Sequence, residues 1–229
     1  MILRIFTLTL EPEHPLQFSL PALRASLTRG LAGYSAGSPA HDPEEKIIHR
    51  YPAIQCKQLK SGLMAVGVCQ GADYLHRLSE GNTAIADAAT RCTIVARDRD
   101  VRKEEFGIDG RDHDYEFATP YLALNQQYAK KFYDLNGKPA RDAFMQKILA
   151  SHLSVLAKSL DYSPGIPVTC TAHLKFERQR IDRENVIVFL GKFTTNLAIP
   201  DYLGIGQSVS GGYGTIRRIS GEPAGREKS

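Results

Sequence analysis

At 229 residues, with 42% hydrophobic and 24% charged side chains, 19 glycines and 12 prolines, the chain has an ordinary globular composition. It is long enough for one large domain or two small ones, and collagen-like, coiled-coil and wholly disordered organisations are excluded. A formal net charge of +4 is compatible with a polyanionic partner without requiring one. No apolar run approaches the ~18 residues of a membrane helix. Residues 1–10 contain Arg4 and no small-residue cleavage site, so they read as a strand and not a signal peptide, and the chain as cytosolic. The four cysteines, 56, 69, 92 and 170, form no CxxC pair and no short Cys/His spacing. Reduced, packed thiols are expected, with no metal and no cofactor.

In chain order, residues 2–10 alternate and are rich in β-formers. Ser19 is a good N-cap, Pro21 sits in the first turn, and Leu20, Leu23, Leu27 and Leu31 make one apolar stripe, which predicts a helix. Residues 33–43 are loop by composition. Residues 51–59 and 63–68, split by Lys60-Ser-Gly62, read as a hairpin, and a helix follows over about 71–78. Residues 92–106 resume an extended, charge-laced pattern. This order, β-α-β-β-α-β, is one ferredoxin-like unit, and the charged stretch 97–114 is its natural boundary.

The second half repeats the order. Residues 115–122 are extended. Over 142–160, Met145, Leu149, Leu153, Leu156 and Leu160 share one helical face, with Gly137 closing the loop before it. Residues 168–176 and 186–195 are β-rich runs around the polar turn 178–184. A glycine-rich loop and a last strand, 214–219, complete the copy, its second helix reduced to a loop. The fold class expected is α+β, two tandem ferredoxin-like (RRM-like) domains over 1–108 and 109–220, with a polar tail at 221–229. The repeat is one of element order, without residue-level similarity.

The most distinctive segment is Asp201-Tyr-Leu-Gly-Ile-Gly-Gln-Ser-Val-Ser-Gly-Gly-Tyr-Gly-Thr215. Such glycine density permits positive φ and close approach of a ligand, with amides free to meet phosphate. It is not a Walker loop, which needs Gly-Lys-Ser/Thr between strand and helix. Nor does it suit a dinucleotide fingerprint, which needs a βαβ unit and a downstream acid. A plain tight turn uses the same residues.

Gly-Ile-Gly-Gln-Ser-Val-Ser-Gly-Gly-Tyr-Gly-Thr-Ile (204–216) resembles the C-terminal glycine-rich signature of the RAMP superfamily of CRISPR-associated proteins. Within it, the chain is similar to the Cas-six endoribonucleases, in the branch called Cas-six-b. Thr119-Pro-Tyr-Leu-Ala-Leu-Asn125 resembles that branch's "TPWLALN" stretch, and Arg50-Tyr-Pro-Ala-Ile-Gln-Cys-Lys57 its "RYPLIQYK" strand. Residues 148–158 resemble its long helix; residues 191–196 and 200–206 resemble its last hairpin and loop.

The resemblance implies metal-independent cleavage of CRISPR precursor RNA within its repeats. A ribose 2′-OH attacks the adjacent phosphate, leaving a cyclic phosphate and a 5′-OH. Such chemistry needs a base, an acid and stabilisation of the phosphorane charge, and imidazole suits proton transfer near neutral pH. His41-Asp42 matches the end of the branch's "FHNHD", whose first histidine is replaced here by Pro39. His41 is therefore the first catalytic candidate and His49, at the next strand, the second. His14, His76, His113, His152 and His173 are better explained as surface or packing residues. Tyr51 is expected to orient phosphate or the attacking hydroxyl, and Lys46, in the His41 loop, to carry charge. Arg50 and Lys57 are expected to contact RNA.

In the glycine loop the branch reads "GKSVSRGFG", whereas Gln207 and Gly211 stand here for its lysine and arginine. Arg217 and Arg218 are the substitutes for those two cations, since phosphate contacts supply much of nucleic-acid affinity. Gly204, Gly206, Gln207, Ser208, Ser210, Gly212 and Gly214 are expected to meet RNA backbone, and Tyr213 to stack on a base. The expected partner is CRISPR repeat RNA; association with other effector-complex proteins and a homodimer are both compatible with the branch. The competing readings are a non-catalytic RNA-binding RAMP protein or effector-complex subunit, and a nucleotide-binding enzyme.

Overall fold

The computed structural model describes residues 1–12, 20, 21, 23–25, 27, 51–80, 85, 86, 93–181 and 184–219. In the first half, β1 (Ile2–Pro12) is followed by helical residues at 20, 21, 23–25 and 27. Then come the hairpin β2 (Ile54–Leu59) and β3 (Gly62–Val68), helix α1 (Gln70–Glu80), the two-residue β4 (Ile85–Ala86) and β5 (Thr93–Glu105). The sheet order is β2-β3-β1-β5-β4. Gly62, at φ 129°, turns the hairpin where Lys60-Ser-Gly62 was expected to.

The second half runs β6 (Gly107–Phe117), α2 (Gln126–Asp134), α3 (Gly137–Ser159), β7 (Cys170–Ile181), β8 (Glu184–Ala198), a 3₁₀ turn (Val209–Gly211) and β9 (Ile216–Arg218). Its sheet order is β7-β8-β6-β9. Set aside β4, and the two sheets share one antiparallel order, second-third-first-fourth strand of each half. That is the ferredoxin-like arrangement twice over, and the 3₁₀ turn stands where the second copy would carry its last helix.

Several expectations shift. The charged stretch 97–114 is strand almost throughout: it lies in β5 and β6, with Phe106, 1% exposed, between them. Charge does not prevent strand formation there, because β5 is templated by pairing with β1 and its charges are of mixed sign. Arg102 bridges Asp100 at 2.8 Å and Glu104 at 3.1 Å on one face. Residues 118–122 are not strand, although Tyr121 makes a single antiparallel bridge to Phe189. Helix α2 was not anticipated from periodicity; its signal is Asn125, whose side chain accepts from the Tyr128 amide at 2.8 Å. Of the described cysteines, Cys56 is buried and Cys170 half-buried, but Cys69 is exposed at φ 52° at the entrance to α1.

β1 is apolar on both faces because both are covered. Phe6, Leu8 and Leu10 join Cys56, Ala65, Ala72 and Leu75 beneath the first-half helices. Leu3 and Ile5, with Val66 and Val68, join a second core that runs into the other half through Phe117, Tyr121, Leu153 and Ile205. Val66 faces Gln55 and Met64 faces Lys57 across the β2–β3 register, so Gln55 and Lys57 of β2 lie on the face turned toward the second half. That placement builds the junction where the glycine-rich loop docks.

Candidate functional site

The glycine-rich loop connects β8 to β9 and is folded as tightly as a core. A Cβ at Gly214 (φ 63°) would lie 1.9 Å from the Ile205 carbonyl oxygen, and one at Gly212 (φ 89°) 2.7 Å from that of Cys56. At Gly206 it would meet the Tyr121 ring at 2.6 Å, whereas at Gly211 the nearest atom is 3.7 Å away. The loop amides are also largely committed: Gln207 N–H donates to Leu122, Gly214 N–H to Pro120 and Ile205 N–H to Gly214. The amides of Gly206, Ser208, Val209 and Ser210 find no acceptor among the described residues.

Side chains from both halves fasten this loop. Tyr51 Oη donates to the Gly204 carbonyl at 2.9 Å and accepts the Gly204 amide at 2.8 Å. Gln55 Oε1 accepts the same amide at 3.2 Å. Thr119 Oγ1 donates to the Gly212 carbonyl at 2.6 Å while accepting the Thr215 amide at 2.9 Å. Arg24 reaches Ser210 Oγ at 3.2 Å. Lys57, fully buried, donates from Nζ to Gln55 Oε1 at 2.8 Å and to Thr215 Oγ1 at 3.1 Å. Burial pulls its ammonium down to about 7, against a weaker opposing effect of the Cys56 thiol.

Beside the loop lies a groove of about 260 Å³. Tyr51 and Pro52 form one wall, His152 and Val155 of α3 another, and Gly206, Ser208 and Ser210 the rim. Burial raises the Tyr51 phenol, which stays protonated. Burial lowers the His152 imidazole, keeping it neutral at pH 7. Its Nδ1 lies 2.6 Å from Tyr121 Oη. The Tyr121 hydroxyl is itself held protonated by burial, so it is assigned as the donor, and the remaining imidazole proton sits on Nε2. The groove thus offers an N–H donor from His152, the serine hydroxyls and four amides without an acceptor among the described residues, a set suited to phosphate oxygens. No charged side chain lines it among the described residues.

Two family profiles span this architecture: the Cas6b N-terminal domain matches residues 1–105 and the Cas6b C-terminal domain residues 107–219. The chain belongs to the Cas6b family. An uncharacterised protein of Methanocaldococcus jannaschii is 30% identical over 128 residues, covering 52% of this chain and 81% of that protein. Among solved structures, one described as the CRISPR RNA processing endoribonuclease Cas6b aligns with a TM-score of 0.71 at 24% identity, over 96% of this chain and all of that one. A second Cas6b crystal structure aligns at 0.65 with 21% identity and the same coverage. A Cas6-related protein of Pyrococcus furiosus aligns at 0.53 with 11% identity, over 97% of this chain and all of the other.

Within this Cas6b chain the expected residues separate into groups. His41, Lys46, His49 and Arg50 lie outside the described residues. Tyr51, Gly204, Gly206, Ser208 and Ser210 meet at the groove. The Tyr51 hydroxyl is engaged with Gly204 both as donor and as acceptor, so its main work is to hold the loop. Lys57 does not reach solvent: expected to contact RNA, it lies at 0% exposure inside the junction, because odd-numbered residues of β2 face the second half. Gly212 and Gly214 are buried, Gln207 is exposed and Tyr213 half-buried, all outside the groove lining.

Arg217 and Arg218 line two other depressions. Arg217 Nη2 is 2.5 Å from Glu116, and Arg218 Nη2 donates to Tyr115 Oη at 3.2 Å. Three residues of this Cas6b junction, Gln55, Thr119 and His152, were not anticipated as part of the site. All three lie in stretches that carry the resemblance, Gln55 in the "RYPLIQYK"-like strand, Thr119 at the start of the "TPWLALN"-like stretch and His152 within 148–158, but their roles depend on register and on which turn of α3 faces the loop.

Proposed function

We propose that this chain is an endoribonuclease that cuts CRISPR precursor RNA within its repeats to release crRNA. The observation that carries this reading is the match of both halves to the Cas6b domains in tandem, with a phosphate-suited groove at their junction. The proposed reaction uses no metal. The ribose 2′-OH loses its proton to a base and attacks the adjacent phosphorus. The P–O5′ bond breaks, the leaving oxygen takes a proton, and the products carry a cyclic phosphate and a 5′-OH.

In this proposal His41 carries the proton, His49 is the alternative carrier, and Lys46 offsets phosphorane charge. Arg50, which directly precedes Tyr51 in the chain, contacts RNA. His152 Nε2–H, Ser208, Ser210 and the four loop amides hold the non-bridging oxygens, while Tyr51 keeps the loop in place. Residues 1–108 and 109–220 act as the two domains of one RNA-binding body.

The test is incubation with the repeat RNA in EDTA, followed by mapping of product ends. Site-specific products with cyclic phosphate and 5′-OH ends are expected, and His41→Ala abolishes cutting while leaving RNA binding intact. A 5′-phosphate product, or a requirement for magnesium, overturns the mechanism. Gln207 and Gly211 favour a second reading, a non-catalytic RNA-binding protein of the superfamily, because two phosphate-facing cations are missing from the loop. Tight binding of repeat RNA with no site-specific product would establish it.

A further inference from the structure

A separate cavity of about 350 Å³ lies in the second half, between α2, the N-terminal turns of α3 and β7. Its volume falls within the range of about 300–1,000 Å³ typical of small-molecule sites. Its floor is apolar, formed by Phe132, Met145 and Phe189, all 3% exposed or less. Its rim is cationic, formed by Lys138, Arg141 and Lys175. The one carboxylate in the lining, Asp142, is held by Lys138 Nζ at 2.8 Å. Phe176 stands at the mouth, 43% exposed, touching Phe132 edge to face at 5.3 Å. Arg141 lies over the Phe132 ring at 5.4 Å, and its buried Nε has no hydrogen-bond partner among the described residues. One strand step beyond, Arg178 lies over Tyr133 at 5.3 Å, and that ring is 40% exposed.

We propose that this cavity binds a base of single-stranded RNA, with Phe176 as the stacking platform and Lys138 and Lys175 on the flanking phosphates. The inference rests on the RNA reading given above. An apolar slot walled by aromatic rings, capped by a guanidinium and rimmed by cations matches the way single strands are held: a planar π-face inside, phosphates outside. The excess of cations over carboxylates at the rim argues for this polyanion and against an uncharged apolar segment. Along α3 the slot, at Arg141, is 14 residues from Val155 of the groove, about 20 Å at the helical rise. It is therefore a second contact, made by nucleotides flanking the strand at the glycine-rich loop.

The experiment uses the full chain and a short oligouridylate carrying 5-iodouridine, which has no repeat sequence and so does not depend on cleavage. A photo-crosslink to Phe176 or Tyr133 is expected, located by peptide mass spectrometry. Phe176→Ala should weaken oligonucleotide binding about tenfold, Phe176→Trp should retain it, and both should melt with the wild-type protein because the side chain is at the surface. Unchanged affinity in Phe176→Ala with crosslinks only at 204–210 overturns the second site while leaving the RNA reading intact. No binding by wild-type protein of either this probe or repeat RNA refutes the RNA reading itself. Loss of a co-purifying protein from Phe176→Ala, with oligonucleotide binding unchanged, assigns the cavity to a protein partner and overturns the proposal.

Discussion

Replacing Lys57 by methionine isolates the electrostatics of the junction. The folded protein releases the Lys57 proton near pH 7, whereas the unfolded chain keeps it to about 10.4. Between those values the unfolded state binds more protons, so stability rises with pH. The desolvation penalty is fully present below pH 7 and disappears as pH approaches the unfolded value. From pH 6 to 8.5 this group alone adds about 2 kcal/mol to the unfolding free energy. In Lys57→Met that increment is absent. The variant keeps the volume and leaves neither former partner unsatisfied, because Gln55 Oε1 still accepts the Gly204 amide and Thr215 Oγ1 still donates to Gly212. Urea unfolding of both proteins from pH 6 to 8.5 gives the difference, in which the histidines cancel. The range stops there because the Cys56 thiol, pushed up to about 12 by burial, gives the opposite slope once unfolded thiols ionise. Parallel stability curves for the two proteins would refute the assignment of a strained ammonium to the junction.

The remaining expectations concern the loop and the groove. Gly214→Ala forces a side chain into positive φ and onto a carbonyl, and should cost ~4 kcal/mol or prevent folding, whereas Gly211→Ala should stay within ~0.5 kcal/mol, both read by urea midpoints. Thr119→Val leaves the buried Thr215 amide without its partner and should lose about 2 kcal/mol, seen as a lower Tm. His152→Ala removes one neutral donor and should weaken repeat-RNA binding by ~1 kcal/mol, about fivefold, without moving the pH profile of cleavage. A shifted profile would make His152 a proton carrier instead.

How far residues alone reach differs by element. β1, the β2–β3 hairpin, α1 and α3 carry their own periodicity, and their positions agree with it to within a few residues, α3 starting earlier because Gly137 initiates its first turn at φ 78°. The extended, charge-laced pattern at 92–106 agrees with β5, whereas β6 before residue 115 was hidden because its charges suit solvent, and the pairing with β8 that makes it a strand is non-local. α2 was missed because its pattern is short and only Phe132 is buried. At the site, the glycines drew attention for the right residues, but close packing is what they serve in the loop, and only neighbours distant in sequence reveal that. Lys57 was misread for the same reason: nothing local distinguishes a lysine facing RNA from one facing another sheet.

The interlock between β2 and the segment after β8 makes the two halves dependent on one another. A fragment ending near residue 106 would leave a lysine amine and a glutamine amide exposed on what should be an inner surface. The complementary fragment would carry a backbone knot shaped around absent neighbours. Neither piece is a self-sufficient module, so splitting the gene at the midpoint should yield two insoluble products that recover a fold only when produced together. For the same reason, exchanging one half with a relative's would succeed only if the clasp travelled as a set.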